Sequence, residues 1–101
     1  VREHRGEAPI IALLAAAGYA VERKGGAHPD GGVDILATAK SDGRQRLVQC
    51  KHWVTWKVNE KTVREMLGAM THFRVQEGEI RATGGWTEPA AKLAREHGIE
   101  L

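Results

Sequence analysis

The chain has 101 residues, of which 42% are hydrophobic, and a formal net charge of only +2. This length predicts one domain, residues 1–101, and the hydrophobic content excludes a disordered chain. The small charge means that nucleic-acid binding would need local basic clusters. The single cysteine, Cys50, excludes an internal disulfide and a multi-cysteine zinc site, and it fits a reducing, cytoplasmic setting.

The first predicted element is an amphipathic helix. Its apolar stripe at helical spacing is Ile10, Leu13, Leu14 and Ala17. Pro9 is tolerated only in a first turn, so the helix should begin near Glu7 or Ala8, or be kinked there, and it should end at Gly18. Glu7 falls on the core-facing side, where a carboxylate either has a binding partner or simply interacts with the positive helix N-terminus.

Three strands follow, of which the first covers residues 19–23. A glycine-rich loop, residues 25–32, contains His28 and Asp30, which either face a substrate or only shape the turn. The next two strands, residues 31–38 and 46–53, are separated by Asp42-Gly43, a strong hairpin signal. With a two-residue loop there, Asp34 would lie opposite Lys51.

The same register would place Leu36 opposite Gln49. Side chains alternate along a strand and opposed residues share a face, so Asp34, Gln49 and Lys51 should converge on one patch of the sheet. Two interpretations remain open from the pattern alone. The patch is either a functional site or a cross-strand ion pair between Asp34 and Lys51, which stabilises little when it is exposed.

A long second helix is predicted by one apolar stripe: Val63, Met66, Leu67, Met70 and Phe73. Lys57, Lys61 and Arg64 would align on another side if this helix begins by Lys57, as a solvated face or as phosphate contacts. Before it, Trp53 and Trp56 either stack on bases or pack in the core.

The C-terminal third alternates strand and helix. Residues 78–83 form a strand after a glycine turn, and Thr87 is placed to cap a helix that starts at Glu88-Pro89. Residues 99–101 begin a last strand. The order helix, three strands, helix, strand, helix, strand predicts an α/β fold, a mixed sheet within a three-layer α/β/α domain.

Four short motifs in this order resemble the catalytic domain of Mrr-type restriction endonucleases, in the PD-(D/E)xK nuclease superfamily. They are Glu7 ahead of Gly18-Tyr19, the run from Asp30 to Ile35, Val48-Gln49-Cys50-Lys51, and the run from Ala82 to Thr87 with Ala90 and Ala91. Gln49 stands where most of the superfamily has Glu or Asp. The Mrr branch is similar to this chain in having Gln at that position. The acid that matches the family's catalytic aspartate is Asp34, not Asp30.

The resemblance implies a restriction-endonuclease-like fold and a metal-dependent DNA endonuclease that hydrolyses phosphodiester bonds. It implies that Asp34 and Glu7 hold Mg²⁺, for which Mn²⁺ can substitute, and that Gln49 coordinates the metal through its carbonyl oxygen or orients water. Lys51 would contact the scissile phosphate or position the attacking water. The expected partner is DNA, and the resemblance is compatible with a homodimer and with a recognition domain elsewhere in a longer protein, of which this chain would be a piece.

Two alternatives remain beside this interpretation. One is a structure-selective nuclease, such as a junction resolvase, built on the same core. The other is an inactive nucleic-acid-binding or dimerisation module, against which the retention of Asp34, Gln49 and Lys51 argues. The longest apolar stretch, residues 10–17, is too short to span a bilayer.

Overall fold

The computed structural model describes residues 7–24, 33–51 and 57–101. Their elements, in chain order, are α1 (Glu7–Ala16), β1 (Tyr19–Lys24), β2 (Val33–Ala39), β3 (Gln45–Lys51), α2 (Glu60–Phe73), β4 (Glu77–Ala82), α3 (Glu88–Glu96) and β5 (Ile99–Glu100). The predicted order of elements is confirmed. Four residues singled out above lie outside the described ranges, namely His28, Asp30, Trp53 and Trp56, and so does the side chain of Glu7.

The strands form one sheet in the order β1-β2-β3-β4-β5. β1, β2 and β3 are antiparallel, whereas β3, β4 and β5 are parallel, so β3 is the strand at which the direction of pairing changes. Parallel neighbours need a crossover connection, and α2 and α3 supply the two crossovers. Both pack on one face of the sheet and α1 packs on the other, which confirms the three-layer α/β/α architecture.

The larger core lies under α2 and α3. Its buried members are Leu36, Leu47, Val58, Val63, Met66, Met70, Val75, Ile80, Ala90, Ala94 and Ile99. Gly78 was predicted as the first residue of a strand, and it lies within β4, directly beneath α2. A Cβ atom there would come within 2.6 Å of Met70 Sδ and 2.9 Å of Met66 Cε, so glycine lets the helix approach the strand closely.

The smaller core lies under α1. It consists of Leu14, Ile35, Ala37, Val48 and Cys50. Leu13 belongs to the predicted apolar stripe, yet 56% of its surface is exposed. The reason is that α1, with the sequence EAPIIALLAA, is apolar on nearly every side, so periodicity does not single out the face that packs. No helix in the described part of the chain is long and apolar enough to cross a membrane.

Beside α1, the same face of the sheet carries a charged cluster centred on Arg46, which we call the arginine network. Arg46 Nη1 lies 3.2 Å from Glu79 Oε1 and 2.9 Å from Glu100 Oε1, and its Nη2 lies 3.1 Å from Glu77 Oε1. Partial burial acts to lower the pKa of Arg46, but hydrogen bonding to the three glutamates outweighs it and raises the pKa. Two further pairs, Arg44–Glu77 and Arg81–Glu79, extend the network.

Both crossover helices have capped N-termini. Asn59 Oδ1 accepts a hydrogen bond from Thr62 N at 3.1 Å before α2, and Thr87 Oγ1 accepts one from Ala90 N at 3.2 Å before α3. The cap predicted at Thr87 is therefore confirmed. Such caps satisfy backbone N–H groups that the first turn leaves without partners, and they fix where each helix begins.

Candidate active site

The β2–β3 hairpin sets the register of the candidate site, and its loop is longer than predicted. Ala39 N donates to Arg44 O at 2.8 Å and Gly43 N donates to Ala39 O at 2.8 Å, which leaves residues 40–43 as the loop. Gly43 adopts φ +78°, which suits glycine. Lys40 N donates to Gly18 O at 3.0 Å, tying the loop to the α1–β1 turn.

The pairing of Asp34 with Lys51 is consequently wrong: Asp34 lies directly opposite Gln49. The register differs from the predicted one by two residues, and a shift of two leaves every side chain on its original face. Asp34, Gln49 and Lys51 therefore still share one face of the sheet. Directly opposed Cβ atoms are about 5 Å apart and diagonal ones about 7–8 Å, within reach of a lysine side chain.

All three side chains are buried. The exposed fractions are 8% for Asp34, 5% for Gln49 and 7% for Lys51. An Asp34–Lys51 ion pair would therefore be a buried one, not a surface pair of small energetic value. Charged groups are almost never so buried unless they are paired, and both Asp34 and Lys51 do have interaction partners. Burial makes their electrostatic interactions stronger than they would be in water.

Gln49 Oε1 is buried and has no hydrogen-bond partner among the described residues. The same holds for the Oδ1 atom of Asp34, although Asp34 does have an interaction partner. An unsatisfied buried carbonyl oxygen costs about 1–3 kcal/mol, so a retained one needs an explanation such as a bound water or ion. Directly across from it, Asp34 contributes a carboxylate.

These two residues offer hard oxygen atoms of the kind that Mg²⁺ prefers, and Mg²⁺ keeps several waters when it has few protein ligands. In the described ranges, no group of three or more His, Cys, Asp or Glu side chains is placed to hold a metal. Asp34 and Gln49 thus fit a cation that has few protein ligands. Its remaining ligands would be water, substrate or a residue whose side chain is not described.

Glu7 is the candidate for that additional ligand. It is the first residue of α1, as predicted, and α1 packs on the face of the sheet opposite to that of Asp34. Because its side chain lies outside the described residues, its role as a ligand stays a prediction.

Lys24 was not among the predicted site residues, because the first strand was predicted to end at Arg23. Lys24 is the cross-strand partner of Asp34, on the side away from Gln49. Its Nζ atom lies 3.1 Å from Glu22 Oε2 and 5.9 Å from the centroid of the Phe73 ring. The ammonium group thus interacts with these two neighbours. Lys24 could have been identified from the sequence only by extending the predicted first strand by one residue.

The predicted basic stripe is only partly helical. α2 begins at Glu60 after the Asn59 cap, so Lys57 precedes the helix and the expected alignment of three cations on one helix is wrong. Lys61 and Arg64 lie three residues apart in α2, and all three side chains are exposed. Their contact with DNA stays a prediction.

A buried Asp, Gln and Lys on adjacent strands of a mixed α/β/α sheet is the arrangement expected of a PD-(D/E)xK-type nuclease. The family model of the Mrr catalytic domain, described as Restriction endonuclease, matches residues 2–101, which is nearly the whole chain. The chain therefore belongs to the Mrr-type restriction endonuclease family, as the sequence motifs indicated.

One solved structure is similar over almost the full chain, the crystal structure of the protein of unknown function AF1548. The TM-score is 0.70 at 20% sequence identity, and the match covers 99% of this chain and 55% of that one. At this identity the similarity supports the fold alone. The chain spans about half the length of that relative. A search of curated proteins gave no match.

Proposed function

We propose that this chain is the catalytic domain of a metal-dependent DNA endonuclease that hydrolyses phosphodiester bonds. One observation carries the proposal: a carboxylate, an amide with an unsatisfied oxygen and a lysine are buried together on one face of the sheet. Membership of the restriction endonuclease family supports the same chemistry.

In this proposal Asp34 and Gln49 hold a Mg²⁺ ion, with Glu7 as a further ligand. The ion would lower the pKa of a bound water and offset negative charge on the phosphate. Gln49 is neutral and contributes only its carbonyl oxygen, so Asp34 is the principal ligand. A cation would also satisfy the Gln49 Oε1 atom, which no described residue does.

Lys51 would act on the substrate. It lies two residues beyond Gln49 on β3 and shares its face, so its ammonium group can reach a phosphate held at Asp34 and Gln49. Its positive charge would stabilise the negative charge that develops in the transition state, and its burial would strengthen that effect.

The exposed cations Lys57, Lys61 and Arg64 would contact the DNA backbone. Contacts to phosphates position a protein on DNA but carry no sequence information. We propose that target selection depends on a region outside this chain, and that a homodimer cuts both strands where one domain would nick.

The test is calorimetric titration of Mn²⁺ together with a plasmid-nicking assay in Mg²⁺, Mn²⁺ or EDTA. We expect wild type to bind Mn²⁺ and to nick only with metal, and Asp34→Asn to lose both properties. The matched control is Asp42→Asn in the exposed hairpin loop, where the amide oxygen can still accept the hydrogen bond from Arg44 N, at 3.0 Å in the wild type. Equal Mn²⁺ binding by wild type and Asp34→Asn would contradict the metal assignment.

A wild-type protein that binds DNA but does not nick with either metal would instead favour the inactive binding module. Gln49→Glu sharpens the distinction. It adds a charged oxygen ligand of nearly the same shape, so we expect tighter Mn²⁺ binding with nicking retained.

A further inference from the structure

Trp86 is an exposed tryptophan in the segment that joins β4 to α3. Its exposed fraction is 48%, and among the described residues only Leu13 is a comparably exposed large hydrophobic side chain. A ring of this size on the surface leaves a large apolar area in contact with water.

The backbone at Trp86 is held firmly although its ring is exposed. Trp86 forms a parallel β-bridge with Val58, in which Val58 N donates to Gly85 O and Thr87 N donates to Val58 O, both at 2.9 Å. Val58 is 1% exposed and belongs to the main core. The indole is therefore presented from a fixed position, which lowers the entropic cost of using it for binding.

This position is close to the candidate active site. Ala82, the last residue of β4, is the neighbour of Lys51 in the parallel β3–β4 pair. Trp86 follows Ala82 by four positions in the chain, so the Cα atoms of these two residues lie within about 14 Å of each other. A DNA strand with its phosphate at Lys51 would have bases a few nucleotides away within reach of Trp86.

The surroundings of Trp86 suit a strand of nucleic acid. The exposed cation Lys57 precedes Val58, the bridge partner of Trp86. Gly85 adopts φ +81°, and no heavy atom lies within 4 Å of the position that a Cβ atom would take there. An accessible aromatic ring and a cation nearby in the same pair of segments are the two elements that proteins combine to bind unpaired strands.

We propose that Trp86 stacks on an unpaired base of the DNA substrate, next to the phosphate that is cleaved. The proposal rests on the proposed nuclease function and names its substrate class, DNA with a single-stranded or unstacked stretch. In intact duplex both faces of each base are covered by neighbouring bases, so a protein ring stacks on a base only where the strand is open or the base is extruded.

The test is binding of a fluorescein-labelled 20-nucleotide oligo(dT) and of a 20-base-pair duplex in EDTA, where no cleavage occurs. We expect Trp86→Ala to weaken binding of the single strand roughly 5- to 150-fold, the range that corresponds to one stacked base. Duplex binding should change little, and Trp86→Phe should keep most of the single-strand affinity. Leu13→Ala, at the other exposed hydrophobic residue, is the control and should bind as wild type.

A second measurement does not depend on altering Trp86. With Trp53→Phe and Trp56→Phe, Trp86 is the only tryptophan, and oligo(dT) should quench its fluorescence. Absence of quenching, or equal losses on single strand and duplex, overturns the stacking proposal. Metal-dependent nicking with unchanged binding by Trp86→Ala would overturn it while leaving the nuclease function intact. Quenching without any nicking would overturn the nuclease function instead.

Discussion

On the face of the sheet covered by α2 and α3, Asp34, Gln49 and Lys51 are buried at one end of an apolar core. On the other face, beside α1, Arg46 holds Glu77, Glu79 and Glu100 in the arginine network. Both regions take charge out of water, but they differ in the kind of buried atom that lacks a hydrogen bond to the described residues. In the candidate site these atoms are acceptors, Gln49 Oε1 and Asp34 Oδ1, whereas Arg46 lacks a hydrogen bond only at a donor, Nε, and binds three glutamates through its two terminal nitrogens.

The difference separates charges that support the fold from charges that serve a ligand. A buried ion pair without good geometry adds little stability, and replacing it by apolar groups is often neutral or stabilising. The arginine network lies on the face of β4 and β5 opposite to the one that α2 and α3 cover, so there it substitutes for the packing that a helix would supply. We expect substitutions in the two regions to affect different measurements.

The largest effect is expected at Lys51. Lys51→Met keeps the apolar stem and removes the charge, so the metal-dependent nicking rate should fall about a hundredfold or more. The double variant Asp34→Asn with Lys51→Met removes both buried charges and should melt at or above the wild-type temperature. Nicking at the wild-type rate by Lys51→Met would show that the lysine takes no part in the reaction. A large loss of stability in the double variant would show that the buried charges of the site support the fold as the arginine network does.

The opposite pattern is expected for Arg46. Arg46→Met leaves three glutamates without their shared partner, one of them buried, and should lower the free energy of unfolding by about 2–3 kcal/mol. For a domain of this size that corresponds to a melting temperature lower by about 10–20 °C. Nicking well below the new melting temperature should be unchanged. The control is Arg95→Met, exposed on α3, for which we expect a change within about 0.5 kcal/mol.

The smallest effect concerns whether the basic residues at and before α2 contact DNA. Alanine at Lys57, Lys61 and Arg64 together should reduce the slope of log affinity against log salt by roughly 0.9 per lost contact with duplex. A matched variant removes three other exposed cations, Lys40, Lys92 and Arg95. If both triple variants shift the slope equally, the basic residues near α2 are no more than part of the general surface charge.

Much of this architecture could be read from the sequence because local signals agreed with the packing. The order of elements, the Thr87 cap and the shared face of Asp34, Gln49 and Lys51 follow from periodicity and capping chemistry. The hairpin register was wrong because Asp42-Gly43 fits loops of two or four residues equally well. The contact between Lys40 N and Gly18 O, which favours the longer loop, is tertiary and leaves no local signal.

Other features depend on tertiary packing alone. The burial of Lys51 comes from the packing around it, and a lysine on a strand looks the same in sequence whether or not it is covered. The exposure of Leu13 arises because α1 is too apolar for one face to stand out. The exposure of Trp86 depends on a bridge between two segments far apart in the chain, so no local sequence pattern predicts it.

The strand order carries a consequence for synthesis of the domain. Each strand pairs with the strand before it in the chain, so the sheet can extend at one edge as the polypeptide emerges, without reserving a gap for a later segment. Asp34 meets Gln49 through the local β2–β3 hairpin, which we expect to form early because its loop is short. The Val58–Trp86 bridge must wait for α2 and β4. In a nascent chain, the pair of Asp34 and Gln49 would therefore form before the bridge that holds Trp86.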